Sequence, residues 1–248
     1  NINGKFTFDH DQNGCDENDT GFPYNILVKI TGDNLNGATF PDQVGDYKYY
    51  TSAGNYTVTP QIEHPEYFVI TPESASVNFA TQDNLTSIQN FCITPNGIHP
   101  DLEVVLSPTN TARPGFDAHY KIVYKNKGNV SLSGQINLNF DDAHTDFVSA
   151  NPTLDSQSGN DLYWTFSNLV PFETRVIDIV LNLNTPTENP PLNSGSVLHF
   201  VAQTNFSVGE STPYDNTFEL NQNVVNSFDP NDKTCLEGNT IAASEIGK

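Results

Sequence analysis

Basic residues are scarce in this 248-residue chain: ten Lys and Arg stand against thirty Asp and Glu, for a formal net charge of -20. A phosphate backbone needs a basic footprint, so that balance excludes a nucleic-acid-binding role. Long apolar runs are also missing. The richest, "VIDIVL" at Val176–Leu181, is far short of the roughly 20 residues that span a bilayer as a helix, so membrane insertion is not expected. Methionine is absent and tryptophan occurs once. Cysteine occurs three times, at Cys15, Cys92 and Cys235, which permits at most one internal disulfide and leaves one thiol over. No H-E-x-x-H, G-x-S-x-G or C-x-x-C pattern occurs, and the six histidines do not group along the chain, so zinc and nucleophile signatures are lacking and a non-enzymatic protein is expected.

What is present reads as β-structure. Hydrophobic residues make up only 36% of the chain, Gly and Pro number 16 each, and Asn, Thr, Ser and Asp crowd the polar positions. Asn, Asp, Gly and Pro each serve a turn geometry, while Thr, Val, Ile, Tyr and Phe suit strands. Period-2 alternation predicts strands at Ile2–Phe8, Asn25–Thr31, Tyr47–Thr51, Asn55–Thr59, Ala75–Phe79 and Ile88–Ile93, and no window carries a helical stripe. After "TPNGIHPD" (Thr94–Asp101) a second series runs through Leu102–Leu106, His119–Lys125, Leu132–Phe140, Leu162–Phe166, Arg175–Leu183, Ser196–Phe206 and Thr217–Val225. The expectation is an all-β chain of two tandem β-sandwich domains, 1–95 and 100–226, the second of immunoglobulin-like size. Residues 227–248 read as a linker and the start of a further domain. The chain opens mid-strand at "NINGKFTF" without a signal peptide and ends at "ASEIGK", which reads as a fragment of a longer protein.

The chemistry concentrates in "FDHDQNGCDENDT" (Phe8–Thr20). Asp9, Asp11 and Asn13 alternate, Gly14 follows, and Asp16, Glu17 and Asp19 close the run. That is the D-x-D-x-N-G opening of a calcium loop, in which several hard oxygens converge in one tight turn and the carbonyl of Cys15 faces inward. Thr20 stands where an EF-hand has its bidentate Glu, so the expectation is an EF-hand-like loop on a β scaffold. The alternative is a solvated acidic turn. Like charges at this density repel one another unless a cation neutralises them, which favours the calcium site. Cys92 lies in the predicted last strand of the same domain. A Cys15–Cys92 bridge would tie the loop to that strand and two buried free thiols are the alternative, with Cys235 left to pair elsewhere.

The loop, together with "GDYKYYTSAGNYTVTP" (Gly45–Pro60), resembles the calcium-binding B-type repeats of bacterial surface adhesins, whose fold is the CnaB-like, prealbumin-like sandwich. In that family's D-x-N-x-N-G-x-x-D-x-x-E loop, Asp9, Asp11 and Asn13 match the first three ligands, and Asp16 and Asp19 match the later acids if the loop is one residue shorter. Residues 100–226 resemble the immunoglobulin-like tandem repeats of surface proteins through "YKNKGN", "FVSANP" and "LYWTFSNLVPFE", and "NVVNSFDPNDK" resembles a junction in multidomain proteins of Bacteroidetes exported by type IX secretion. The resemblances imply an extracellular or outer cell-surface stalk or adhesin module, rigidified by calcium, whose partners are neighbouring domains of its own longer chain. A glycan- or protein-binding accessory module is the alternative, including one attached to a secreted hydrolase.

Lesser candidates have plain readings beside them. An isopeptide bond from Lys5 to Asn78 or Asn90 requires a desolvated lysine, against the plain alternative of a lysine on the solvent face. Asp141, Asp142, His144 and Asp146 read as a solvated loop, with a second cation site next. Asp229 and Asp232 in "FDPND" are candidates for a cation at an interdomain joint. Tyr163 and Trp164 alternate, so one faces the core and the other the surface, where an aromatic ring could stack on a sugar.

Overall fold

In a computed structural model, residues 1–21, 26–33, 36–82, 85–206 and 209–226 are described; Asp229, Asp232 and Cys235 lie outside them. The described chain is all-β, with no α-helix among those residues. Ten strands come first: β1 (Ile2–Phe8), β2 (Thr20–Gly21), β3 (Leu27–Gly32), β4 (Gly37–Thr39), β5 (Asp46–Tyr49), β6 (Gly54–Gln61), β7 (Phe68–Thr71), β8 (Ala75–Phe79), β9 (Ser87–Ile88) and β10 (Phe91–Pro95). Nine follow: β11 (Leu102–Pro108), β12 (Asp117–Asn126), β13 (Leu132–Asn139), β14 (Thr145–Asn151), β15 (Ser156–Ser158), β16 (Asp161–Leu169), β17 (Thr174–Leu183), β18 (Val197–Phe206) and β19 (Thr217–Asn223).

Each series closes into a sandwich. In the first, β4-β3-β6-β8 faces a sheet centred on β1, which runs parallel to β10 and β9 and antiparallel to β2 and β5. Alternation buries Ile2, Phe6 and Phe8 from β1, Val28 and Ile30 from β3, and Tyr56 and Val58 from β6. Phe6 and Phe91 stack at 5.3 Å between ring centroids within that core. In the second, β11-β12-β17-β14 faces β15-β16-β13-β18-β19 around Tyr120, Ile122, Phe140, Trp164 and Phe200. Trp164 is the inward member of its pair and donates its indole N–H to Pro152 O at 3.1 Å. Strands β7 and β14 escape the period-2 reading because β7 is a four-residue edge strand and β14 carries a bulge between Phe147 and Ser149.

A buried polar joint connects the two sandwiches. From the second, the Asn126–Asn129 turn reaches the 97–101 linker, where Lys127 and Gly128 donate backbone N–H bonds to Asp101 O. Asn129 donates its side-chain amide to Tyr67 O at 2.8 Å and accepts from the His99 N–H at 2.8 Å. A Cβ on Gly128 would sit 2.2 Å from His99 O, so only glycine permits this approach. Tyr67 stacks on both His99 (4.3 Å) and His64 (4.7 Å). Two of the histidines dispersed in sequence, His64 and His99, therefore meet at the joint. Phe172, held at φ 65°, leaves the second sandwich to join the first core against Phe68, 4.8 Å between centroids.

Charge at the joint is mostly paired. Lys127, 8% exposed, meets Asp215 Oδ2 at 3.0 Å and Glu63 Oε1 at 3.2 Å, and Lys125 meets Glu63 Oε2 at 2.7 Å. Burial works against the Lys127 charge, but those hydrogen bonds overcome it and hold the ammonium above the usual lysine range. Asp101 is fully buried and accepts Thr212 Oγ1–H (2.8 Å) and Tyr67 O–H (3.3 Å) at Oδ2, while Oδ1 has no hydrogen-bond partner. Burial raises its carboxyl above the usual range despite the Thr212 bond, and nearby Asp215 adds to the rise.

Two predictions follow from the joint. Phe172→Ala removes the ring that reaches across, and the loss of a buried Phe side chain costs on the order of 3 kcal/mol. It should lower the thermal midpoint and open residues 97–101 to limited proteolysis; wild-type protease resistance in the variant would contradict the linking role. A raised folded-state pKa makes Asp101's contribution greatest below the unfolded value near 3.8 and erodes it as pH rises through the folded value. The difference in melting temperature between Asp101→Asn and wild type should thus shift in the variant's favour from pH 4 to pH 7, and a pH-independent difference would refute this.

Candidate metal centre

The acidic loop leaves the end of β1 and returns as β2, which pairs antiparallel with Thr7 and Phe8. Asp9 is 2% exposed and acts as the loop's internal anchor. Its carboxylate accepts the N–H groups of Asn13 (3.0 Å) and Gly14 (3.1 Å) and the Thr94 hydroxyl on β10 (2.9 Å), while its own N–H donates to Ile93 O (3.0 Å). The turn around it uses left-handed backbone at Gln12 (φ 61°) and Gly14 (φ 99°), the latter a conformation that glycine adopts without a Cβ penalty. Cys15 is bonded to Cys92 on β10, 77 residues on, so the loop is held to that strand both covalently and through Asp9.

Beyond the anchor, the remaining acids divide into two groups. Asp11 accepts the Asn13 side-chain amide at Oδ2 (2.9 Å). Asp19 Oδ2 accepts the Asp16 N–H (3.0 Å), and its Oδ1 lies 3.0 Å from His10 Nδ1. The Asp16 N–H bond, outweighing partial desolvation, holds the Asp19 carboxyl below the usual range, with His10 assisting. Ligand atoms of His10, Asp11 and Asp19 lie within 4.8 Å of one another, forming an acidic group able to hold a metal ion. Asp16 instead accepts the Asn18 N–H at 2.7 Å in a local turn of its own.

The sequence-derived set is thus distributed over several roles. Asp11 and Asp19 converge, Asn13 is tied to Asp11, Asp9 shapes the backbone, Cys15 carries the bridge, and Asp16 caps a neighbouring turn. His10 is absent from the D-x-D-x-N-G pattern, which counts only the alternating oxygen donors; its position between Asp9 and Asp11 in "DHD" is the signal in the sequence that marks it. Calcium requires hard oxygens, of the kind the Asp11 and Asp19 carboxylates carry; the imidazole of His10 is a softer donor better suited to transition metals.

Other candidates resolve locally. Lys5 is exposed and its backbone N–H donates to Asn90 Oδ1 (3.0 Å), while Asn78 lies in the opposite sheet and donates to Asn55 (2.7 Å). That is not the desolvated lysine an isopeptide bond requires. His144 binds Asp141 within the turn between β13 and β14 at 2.7 Å.

No family model matches the chain, and no curated protein matches it. Among solved structures it is similar to a CARDB domain from Pyrococcus furiosus solved in complex with di-metal ions, at 21% identity over 51% of this chain and 90% of that one, TM-score 0.35. It is also similar to the major pilin subunit of Bacillus cereus (11% identity, 91% and 68% coverage, TM-score 0.34) and a DUF3823 family protein from Parabacteroides merdae (13%, 90% and 96%, TM-score 0.29). At these scores none carries an inference about the loop.

The anchoring role of Asp9 separates from metal binding by experiment. In excess chelator, Asp9→Ala should cost about 2 kcal/mol, since it strips charge-assisted bonds from a buried carboxylate, whereas Asp11→Ala should stay within roughly 0.5 kcal/mol. Equal effects in denaturant titrations would contradict that division.

Proposed function

We propose that this chain is a non-enzymatic stalk or adhesin segment of an extracellular or cell-surface bacterial protein, with a prealbumin-like sandwich followed by an immunoglobulin-like one. The observation that carries this reading is the joint. Tandem sandwiches connected only by a free linker would swivel, but here Asn129, Asp101, Lys127 and Phe172 engage the first sandwich directly, and a buried interface of that kind transmits orientation from one module to the next. The disulfide suits an oxidising exterior. Partners under this reading are further domains of the same longer chain, and export by the type IX route of Bacteroidetes belongs to the same proposal.

Calcium is the cation proposed for the loop. Bound by Asp11 and Asp19, with Asn13 and backbone oxygen completing a hard-donor set, it would neutralise clustered carboxylates and stiffen the end of β1. A site saturated at about 100 times its Kd stabilises the folded state by about 2.7 kcal/mol. Thermal unfolding in millimolar calcium against chelator should therefore show a rise in wild type that Asp11→Ala and Asp19→Ala both remove. A rise with zinc but not with calcium would reassign the metal through His10, and no rise with either would leave the loop as a turn held by Asp9 and the disulfide alone.

A further inference from the structure

The outer face of the first sandwich, away from the acidic loop, carries a second surface. Cross-strand partners in a sheet project to the same side, and residues two apart along a strand share a face. In the register of β5, β1 and β9, Lys48, Asn3 and Ile88 stand in one row, and Asp46 and Lys5, with Asn90 beyond β9, form the next. The intervening Ile2, Phe6 and Tyr47 point into the core, so this set faces outward. It floors an open groove of about 660 Å³ whose wall is Phe40, from the loop between β4 and β5. That volume falls within the roughly 300–1,000 Å³ of small-ligand sites.

Three features of the groove point to one ligand chemistry. First, Phe40 is 59% exposed and Ile88 69% exposed in the same groove, while Tyr50, 68% exposed just past β5, holds Lys48 Nζ 4.7 Å from its ring centroid. Exposed apolar side chains gathered in one concavity mark a binding surface, whereas scattered ones do not. Second, part of the polar lining is unspent: among the described residues neither Lys5 nor Lys48 has a carboxylate partner within salt-bridge distance, and the Asn90 oxygen is engaged by Lys5 N–H while its amide N–H groups remain, although Asp42 Oδ1 already accepts the Val44 and Asp46 N–H groups at 3.0 Å each. Third, two lysines offset Asp42 and Asp46, making the groove locally neutral on a chain of net charge -20. An anionic polymer would meet the repulsion of the whole molecule, and a cation would meet two ammonium groups. A neutral ligand that offers an apolar ring face to Phe40 and hydroxyls, both donor and acceptor, to the carboxylates, ammoniums and amide satisfies all three.

We infer that the groove between Phe40 and the β5-β1-β9 face binds a neutral saccharide. The inference is independent of the stalk reading and of the cation, and it gives the module a grip as well as a reach. Native affinity electrophoresis of the whole chain, in gels cast with soluble β-glucan, xylan, galactomannan or pullulan and with polygalacturonate as the anionic comparison, tests it. Retardation is expected in at least one neutral gel, with Phe40→Ala weakening it about tenfold or more, equivalent to about 1.4 kcal/mol. Phe40→Trp should retain it, and Asp11→Ala should leave it unchanged. Because Phe40 and Tyr50 are exposed, their alanine variants are expected to keep the wild-type melting temperature. Tyr50→Ala serves as the second variant if Phe40→Ala fails to fold. The inference is overturned if no neutral polysaccharide retards the protein, if retardation occurs only with polygalacturonate, or if it survives Phe40→Ala combined with Tyr50→Ala.

Discussion

Strand β1 pairs along both of its edges, with β5 and β9 over Ile2–Lys5 and with β2 and β10 over Phe6–Phe8. A central strand so constrained has a specified register, because a slip of one residue would drive Ile2, Phe6 and Phe8 out to solvent and Lys5 into the core. Both surfaces of interest on the first sandwich inherit that register. The end of β1 aims Asp9 at Thr94 on β10, and its outward residues Asn3 and Lys5 form the middle of the groove. One strand thus positions an anion-rich loop and a charge-balanced groove in separate places.

Electrostatics are arranged to match. Thirty acidic groups on a chain with ten basic ones repel at long range, so local pairing determines where carboxylates can be gathered. The acidic loop meets the problem with backbone N–H donors, four of which point at Asp9 and Asp19. The joint meets it with cations instead, spending Lys125 and Lys127 on Glu63 and Asp215. Asp101 departs from that pairing, a fully buried carboxyl with one oxygen lacking a partner, and its elevated affinity for a proton follows from that burial; Glu210, also with a partnerless buried oxygen, is raised by burial in the same way.

The joint also gives the Asn126–Asn129 turn its physical meaning. Asn126 is fully buried and completes its own bonds to Val130 O, Leu169 O and the Gly128 N–H, so the turn is rigid before it meets the linker. Gly128 then allows contact with His99 O that any side chain would block. Rigidity in the turn and closeness at the linker together couple the sandwiches.

How much of this was legible beforehand follows from the range of each interaction. Alternation along β1, β3, β6, β12, β17 and β18 determined all-β structure, since burying one face of a sheet requires a period of two that survives in the linear order. The clustering of Asp9, Asp11, Asn13 and Asp19 within eleven residues likewise marked an acidic loop, because the polar contacts of a tight turn draw on near neighbours. Tertiary structure alone decided that Asp9 turns inward to Thr94, eighty-five residues away, that His10 joins Asp11 and Asp19, and that His64, Tyr67 and His99 stack beside Asp101. It alone placed Lys48, Asn3 and Ile88 in one row. Strand alternation states which face a side chain takes but not which strand lies beside it, and that choice is made only when the sheets close around their core.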